Sequence, residues 1–523
     1  MRARLVLLLA AVAVVALPAV ASAHPMPVST FGFGLSGSAA MTLTHSPVDD
    51  GTADFAKSRN MRLMSLSSRP AGANAFAEFN SDLAFWGDKA YQGTFKGFRI
   101  IDIDDPSRPR ELIDYEDCGT VGQGDVVVWG NILVRSWDVN NATPGVTCDG
   151  DEVAAGPGGG APGTGGFEGV HVFDVSDPGN PDLVATVDLT CGSHTASGVP
   201  DLRNRRLLVY STPSSGACEG IDVVEVPLSR PEESELVRSE SADPRNPAGQ
   251  GPSFACHDTG IILGRAMKAS CAGGAGFAVW SLGGRDGGSL DNPRFLYNHV
   301  LPEIAFGPPN ANEGPTGHSA AFSWDGETLI FGHEPGGGFD PRCMATGEDL
   351  PDRPEVAFQN ENQKSFFFFD TNSGEPKGKW TFNDRPQSGT ENCTLHNYNI
   401  VPTAKDDILV HGSYQSGIGV LDFSNPENAR EIAYADPVPL VPAQLGGDWS
   451  SYFYNGYIYE SDITRGLFTW KLDDRDVKDA IRLRHLNPQT QEFTIGARKD
   501  HDRWNEGDRW HDDDDDDRGD RHR

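Results

Sequence analysis

Positive charge is scarce in this chain. Lys and Arg number 43 against 75 Asp and Glu, a formal net charge of −32. Such a surface repels phosphate backbones and anionic lipid, so no nucleic-acid partner is expected. Long apolar runs are also lacking after residue 23. None approaches the ~18 residues of a spanning helix, so no membrane span is expected. The short signatures of common chemistries are missing as well: no Walker A, no G-x-G-x-x-G after a strand, no G-x-S-x-G and no H-E-x-x-H. Carboxylates abound, yet none forms a pair that can be placed across a glycosidic bond. The eight cysteines include no C-x-x-C, which removes the usual thiolate metal spacing.

What is present begins with MRARLVLLLAAVAVVALPAVASA, where Arg2 and Arg4 precede an apolar core that ends in A-S-A. That order reads as a secretory signal peptide over residues 1–23, cut after Ala23, so the mature chain is expected to be secreted and extracellular. With 60 Gly and 36 Pro and 38% hydrophobic residues, the composition fits many short strands joined by turns and disfavours a helical fold.

One phrase organises the rest. GFRIIDIDDPSRP at residues 97–109 returns as GVHVFDVSDPGNP from Gly169 and as GIGVLDFSNPENA at residues 417–429. Each is a half-buried strand whose Asp or Ser beside Pro closes a stiff turn. Weaker copies start at Gly220, Gly276, Ser365 and Gly466, giving seven in all, with starts 49 to 89 residues apart. That spacing is the range of a four-stranded propeller blade with variable loops. The three clear copies resemble the LVIVD repeat of secreted bacterial β-propeller proteins, a resemblance that implies a scaffold and no particular activity.

The fold expected is therefore all-β, a single seven-bladed β-propeller over residues 60–473. NMRLMSLS at residues 60–67 alternates like a strand, and the last blade stops after its third strand at Asp473. The N-terminal strand should thus complete the last blade and close the ring. Residues 24–59 are expected to wrap loosely over the surface. Residues 474–523 should form a short helix at DVKDAIRLRHL and then a disordered, charged tail containing Asp512 to Asp517. A monomer is expected.

All eight cysteines lie after residue 23, and an even count in an exported chain points to disulfides. Cys118, Cys191, Cys256 and Cys393 sit before inner strands, while Cys148, Cys218, Cys271 and Cys343 sit where second strands leave for third strands. Nearest-neighbour pairing gives Cys118 with Cys148, Cys191 with Cys218, Cys256 with Cys271, and Cys343 with Cys393. Sequence leaves that connectivity open.

The inner hairpins place one ionisable residue at the same register in every blade: Asp82, Asp125, His194, His257, His318, His396 and Asp448. Equivalent inner-strand positions ring the central channel, so four adjacent blades should aim imidazoles at one sector of its mouth. Imidazole suits a divalent transition metal such as Cu or Zn, and the three carboxylates across the channel would complete the circle. His333, Glu334 and His411 fall at second-strand ends near the same face and form a second ring. The competing reading is architectural, with each His tying a loop to a neighbouring acceptor.

Two functions follow. One is an extracellular binding module for a protein, polysaccharide or small ligand, which needs only the scaffold. The other is a metal-dependent enzyme, an oxidase or hydrolase, built on the His cluster. Its architecture is broadly similar to His-lined oxidase propellers such as the selenium-binding and methanethiol oxidase group, with no motif of that group shared residue by residue.

Overall fold

The computed structural model describes residues 55–71, 78–118, 123–138, 148, 169–214, 218, 220–242, 256–273, 276–301, 317–334, 364–382, 391–437 and 445–495. The proposed signal peptide, most of the N-terminal segment, Cys343 and the aspartate tail lie outside these residues.

Seven antiparallel sheets follow one another along the chain, each built of four consecutive positions from an inner to an outer strand. Blade 1 runs Asn80–Trp86, Lys89–Thr94, Gly97–Asp102 and Arg110–Tyr115. The inner strands of blades 2 to 7 are Val126–Trp129, Ala196–Asp201, Cys256–Ile262, Gly317–Phe322, Tyr398–Ile400 and Asp448–Tyr454. The recurring phrase is the third strand of each blade. Its terminal Asp accepts from the backbone two residues on, as Asp102 does from Asp104 at 3.1 Å and Asp174 from Ser176 at 2.8 Å. These Asx turns are the reason that the phrase repeats.

Strand periodicity explains the near-continuous apolar runs. In Val126–Trp129, Val126 and Val128 pack with blade 1, whereas Val127 and Trp129 pack with blade 3. In Ser365–Asp370, Phe366 and Phe368 face blade 6 while Phe367 and Phe369 face blade 4. Each blade thus buries both faces against its neighbours, and seven apolar clusters fill the seven interfaces between them. Seven interfaces for seven blades make a closed ring.

Closure is as expected from the alternation. Met61–Ser68 pairs antiparallel with Gly466–Leu472, Met61 opposite Leu472 and Ser68 opposite Gly466. Met61 and Leu63 point inward and join the cluster between blades 6 and 7. The preceding stretch departs from the loose wrap expected for residues 24–59, because Phe55–Lys57 adds a fifth strand to the edge of blade 6 along Arg430–Pro437. Three disulfides are present, Cys118–Cys148, Cys191–Cys218 and Cys256–Cys271, in the nearest-neighbour scheme. Cys393 is fully buried, and its expected partner Cys343 lies outside the described residues.

The chain after blade 7 corrects the sequence expectation. In place of a helix there is one 3-10 turn, Arg475–Val477, followed by extended chain that crosses the end of the channel. His485–Leu486 pairs with the end of the blade 1 inner strand, and Thr490–Gln491 runs parallel to the end of the blade 4 inner strand. The segment is too short to be a stable isolated helix, and the blades satisfy its backbone instead. Ile481 N–H donates to Pro402 O at 2.9 Å, Leu263 N–H donates to Gln491 O at 2.9 Å, and Ile495 N–H donates to Trp324 O at 2.7 Å. The His485 ring stacks on Trp86 and meets Trp129 edge-on.

Candidate metal centre at the channel mouth

The crossing segment lies where inner strands end. The four histidines lie where they begin, at the opposite mouth. Local irregularity aims them inward: the inner strand of blade 4 shifts register between Cys256 and Thr259, and that of blade 5 between Gly317 and Ser319. A bulge of this kind lets consecutive residues, His257 with Asp258 and His318 with Ser319, both serve the channel. The two strands also approach unusually closely. A Cβ on Gly260 would stand 2.1 Å from Ala320 O, so only glycine fits there.

The four imidazoles form a continuous buried row. Ring centroids are 4.3 Å apart for His194 and His257, 3.9 Å for His257 and His318, and 4.4 Å for His318 and His396. The Nε2 atoms of His194 and His257 are 2.8 Å apart. Glu334, which follows the second strand of blade 5, brings its carboxylate to the row. Its Oε2 is 3.8 Å from His318 Nε2 and its Oε1 is 3.9 Å from His396 Nε2. Ligand atoms of His257, His318 and Glu334 all lie within 4.8 Å of one another.

The other side of each ring is engaged. His194 Nδ1 lies 3.0 Å from Asp138 Oδ2, and the Gln123 amide nitrogen lies against both nitrogens of that ring. His257 Nδ1 lies 3.1 Å from Asp258 Oδ1. His318 Nδ1 is 2.6 Å from Ser319 Oγ, which donates to Asp258 Oδ2 at 2.8 Å. His396 Nδ1 faces the Trp449 carbonyl at 2.6 Å. Tyr414 O–H donates to Glu334 Oε1, which leaves Oε2 toward His318. Such outer partners fix tautomer and orientation in metal-binding histidines and carboxylates.

Electrostatics favour neutral rings beside a charged acceptor. Burial, then the neighbouring His194, brings His257 down to about 4. Burial and His257 likewise hold His318 well below the usual histidine range. Burial pushes Asp258 upward, but His318 and the hydrogen bond from His257 outweigh it and keep that carboxyl below its ordinary value. Neutral imidazoles present lone pairs, the form in which histidine binds a metal.

Not every residue singled out from sequence joins this group. Asp82 accepts from Leu83 N–H at 2.7 Å and from Tyr452 O–H at 2.9 Å, and Asp125 accepts from Ala196 N–H at 3.3 Å. Asp448 accepts from Ser451 O–H. Asp82 and Asp125 tie neighbouring inner strands together while Asp448 bonds within its own strand, and burial raises Asp82 to about 7 and Asp125 and Asp448 well above the carboxylate range. His411 packs against Phe366 and Trp380 with Nδ1 3.0 Å from Ser413 Oγ, within the blade 5 to blade 6 interface. His333 is buried at the end of its strand. Glu334 alone of that second ring reaches the histidine row. Asp138, Tyr414 and Gln489, described below, carried no repeat signal. Tyr414 sits in a connection at φ 50°, and Asp138 directly follows a strand.

Among solved structures, the chain is similar to the computationally designed Ika8 protein at 11% identity and a TM-score of 0.40, covering 78% of this chain and 99% of that one. A candidate 6-phosphogluconolactonase from Bacteroides fragilis gives 11% identity and 0.40 over 78% and 97%. Sqt1 of Saccharomyces cerevisiae gives 8% identity and 0.42 over 74% and 81%. No curated protein matches the sequence. The family model that does match describes the LVIVD repeat and aligns with residues 80–117, so the four strands of blade 1 are an LVIVD repeat.

Proposed function

We propose that this propeller is a metal-dependent enzyme whose divalent transition metal is held by His257, His318 and Glu334, flanked by His194 and His396. The observation that carries the reading is the convergence of one ligand atom each from His257, His318 and Glu334 within 4.8 Å, each residue being tethered by a neighbour. Two histidines and a glutamate are a donor set of catalytic zinc sites, which keep a coordination position open, unlike closed structural sites. A bound ion would supply Lewis acidity or activate a water at neutral pH. Asp258 and Ser319 hold the two imidazoles in the lone-pair-presenting tautomer, and Tyr414 turns Glu334 toward them. A scaffold that only binds a partner through loops needs none of these tethers.

An exported location rests on residues 1–23 and on three disulfides, which persist in oxidising compartments. Among the described residues no helix is long and apolar enough to cross a membrane.

Elemental analysis of the purified chain tests the proposal. One equivalent of transition metal is expected in the wild type, with loss in His257→Ala and in His318→Ala while the β-sheet circular dichroism is kept. Retained metal in both variants overturns this ligand set. A wild type free of metal after reconstitution returns the chain to the binding-module reading.

A further inference from the structure

We infer that Gln489, carried by the C-terminal segment that crosses the opposite end of the channel, is a positioning residue of the histidine row. This inference rests on the metal-centre reading above. The residues that follow His257, His318 and His396 are Asp258, Ser319 and Asn397, and they form a second tier beneath the imidazoles. One side-chain nitrogen serves all three: Gln489 Nε2 is 2.6 Å from Asp258 Oδ2, 3.3 Å from Ser319 Oγ and 3.2 Å from Asn397 Oδ1. Asp258 in turn meets His257 Nδ1, and Ser319 meets His318 Nδ1. A single amide at the hub of this tier therefore sets the orientation of both imidazoles in the ligand set.

The backbone is bent to deliver that amide. Gln489 has φ 49°, a left-handed conformation that is uncommon outside glycine and is kept only where the surroundings enforce it. Its neighbours supply the enforcement by bonding to inner-strand backbone. Asn487 Nδ2 donates to Val128 O at 2.9 Å while its Oδ1 accepts from Val128 N–H at 2.6 Å. Thr490 Oγ1 donates to Gly198 O at 3.1 Å, and Gln491 Nε2 donates to Phe322 O. Blades 2, 3 and 5 thus grip the segment on either side of Gln489, and Ile261 N–H of blade 4 donates to Gln489 O at 3.0 Å. The last described stretch of chain works as the floor of a centre whose proposed ligands belong to blades 4 and 5.

Co(II) is the probe, because its visible absorption reports ligand geometry as well as occupancy. The full chain is loaded with Co(II), and affinity is read by competition with a chelator for wild type, Gln489→Leu, Gln489→Asn and Gln491→Leu. Asn favours the left-handed backbone but is one methylene short of Asp258, so it separates backbone docking from side-chain reach. Both Gln489 variants are expected to bind roughly 10 to 100-fold more weakly, the usual effect of losing an outer partner, with a changed Co(II) spectrum. Gln491→Leu loses one grip on the segment and keeps those of Asn487, Thr490 and the Gln489 carbonyl, so it should match the wild type in both. Wild-type affinity and spectrum in the Gln489 variants overturn the inference. So does an equal loss in Gln491→Leu, which would assign the effect to docking of the segment. A wild type that takes up no Co(II) overturns the metal reading itself and this inference with it.

Discussion

The Nε2 atoms of His194 and His257 stand 2.8 Å apart, and the Nδ1 atom of each ring faces a carboxylate, Asp138 for one and Asp258 for the other. A ring proton held at Nδ1 by a carboxylate leaves a lone pair on Nε2, and the Gln123 amide nitrogen stands 2.7 Å from the Nε2 of His194. On the proposed metal reading, His194 would be an added ligand at the end of the row. His194→Ala should retain metal but bind it on the order of tenfold more weakly, whereas His257→Ala should lose stoichiometric metal altogether. Competition with a chelator, read beside elemental analysis, distinguishes the two; identical behaviour of both variants would contradict the arrangement.

Tyr414→Phe removes the donor to Glu334 and nothing else of comparable size. The carboxylate is then buried with one hydrogen bond fewer, a loss of about 1.5–3 kcal/mol of stability for a bond to a charged group. Metal affinity should fall as well, because Glu334 loses the donor that turns it toward His318. Denaturant unfolding of the metal-free protein checks the first effect and chelator competition the second.

The contribution of Asp82 and Glu460 to the stability of the metal-free protein should fall as pH rises above the ordinary carboxylate range, against an opposite contribution from the depressed His257 and His318. Burial raises Asp82 from 3.8 to about 7 and Glu460 from 4.5 to about 8. The folded state therefore holds protons that the unfolded chain has already released. The stability this contributes is complete below the unfolded values and is lost as pH passes through the raised ones, with a slope of at most ~1.4 kcal/mol per pH unit for each group. In thermal scans between about pH 5 and about pH 8, Asp82→Asn and Glu460→Gln should each lose less stability with rising pH than the wild type. Variants with the pH slope of the wild type would refute the assignment.

Cys343 and Cys393 should form a fourth disulfide, following the pattern of the three present. Alkylation of the unreduced, denatured protein should label no thiol, and peptide mapping should recover all four nearest-neighbour pairs. Breaking Cys118–Cys148 by Cys148→Ser should cost about 2–5 kcal/mol, the usual effect of removing a native disulfide from an exported domain.

How much of this was legible in sequence follows from where repetition acts. Asp102, Asp174 and Asp422 each close the same turn, so three of the third strands stand out, and the number of blades follows from the register of the four weaker copies. His194, His257, His318 and His396 were found because inner strands restart at one register. Glu334 was found only as a neighbour of a strand end. Tyr414 and Gln489 owe their places to a connection and to a terminal crossing, where backbone partners lie in distant blades and no period exists to be read. The crossing reads in sequence as a helix followed by tail because its apolar residues, Val477, Ile481, Leu483 and Leu486, face several blades in turn.

Ring closure by Met61–Ser68 also fixes an order of events during synthesis. Asn60 and Asp474, 414 positions apart, share a hydrogen bond at the seam, so Met61–Ser68 gains its partner only when the third strand of blade 7 has been made. Until Gly466–Leu472 emerges, the growing arc carries two raw edges, one of them the Leu63 face that will be buried between blades. Contacts of such sequence separation form slowly, and unpaired edges invite pairing with other chains. A chain built this way keeps an exposed strand edge until its seam closes.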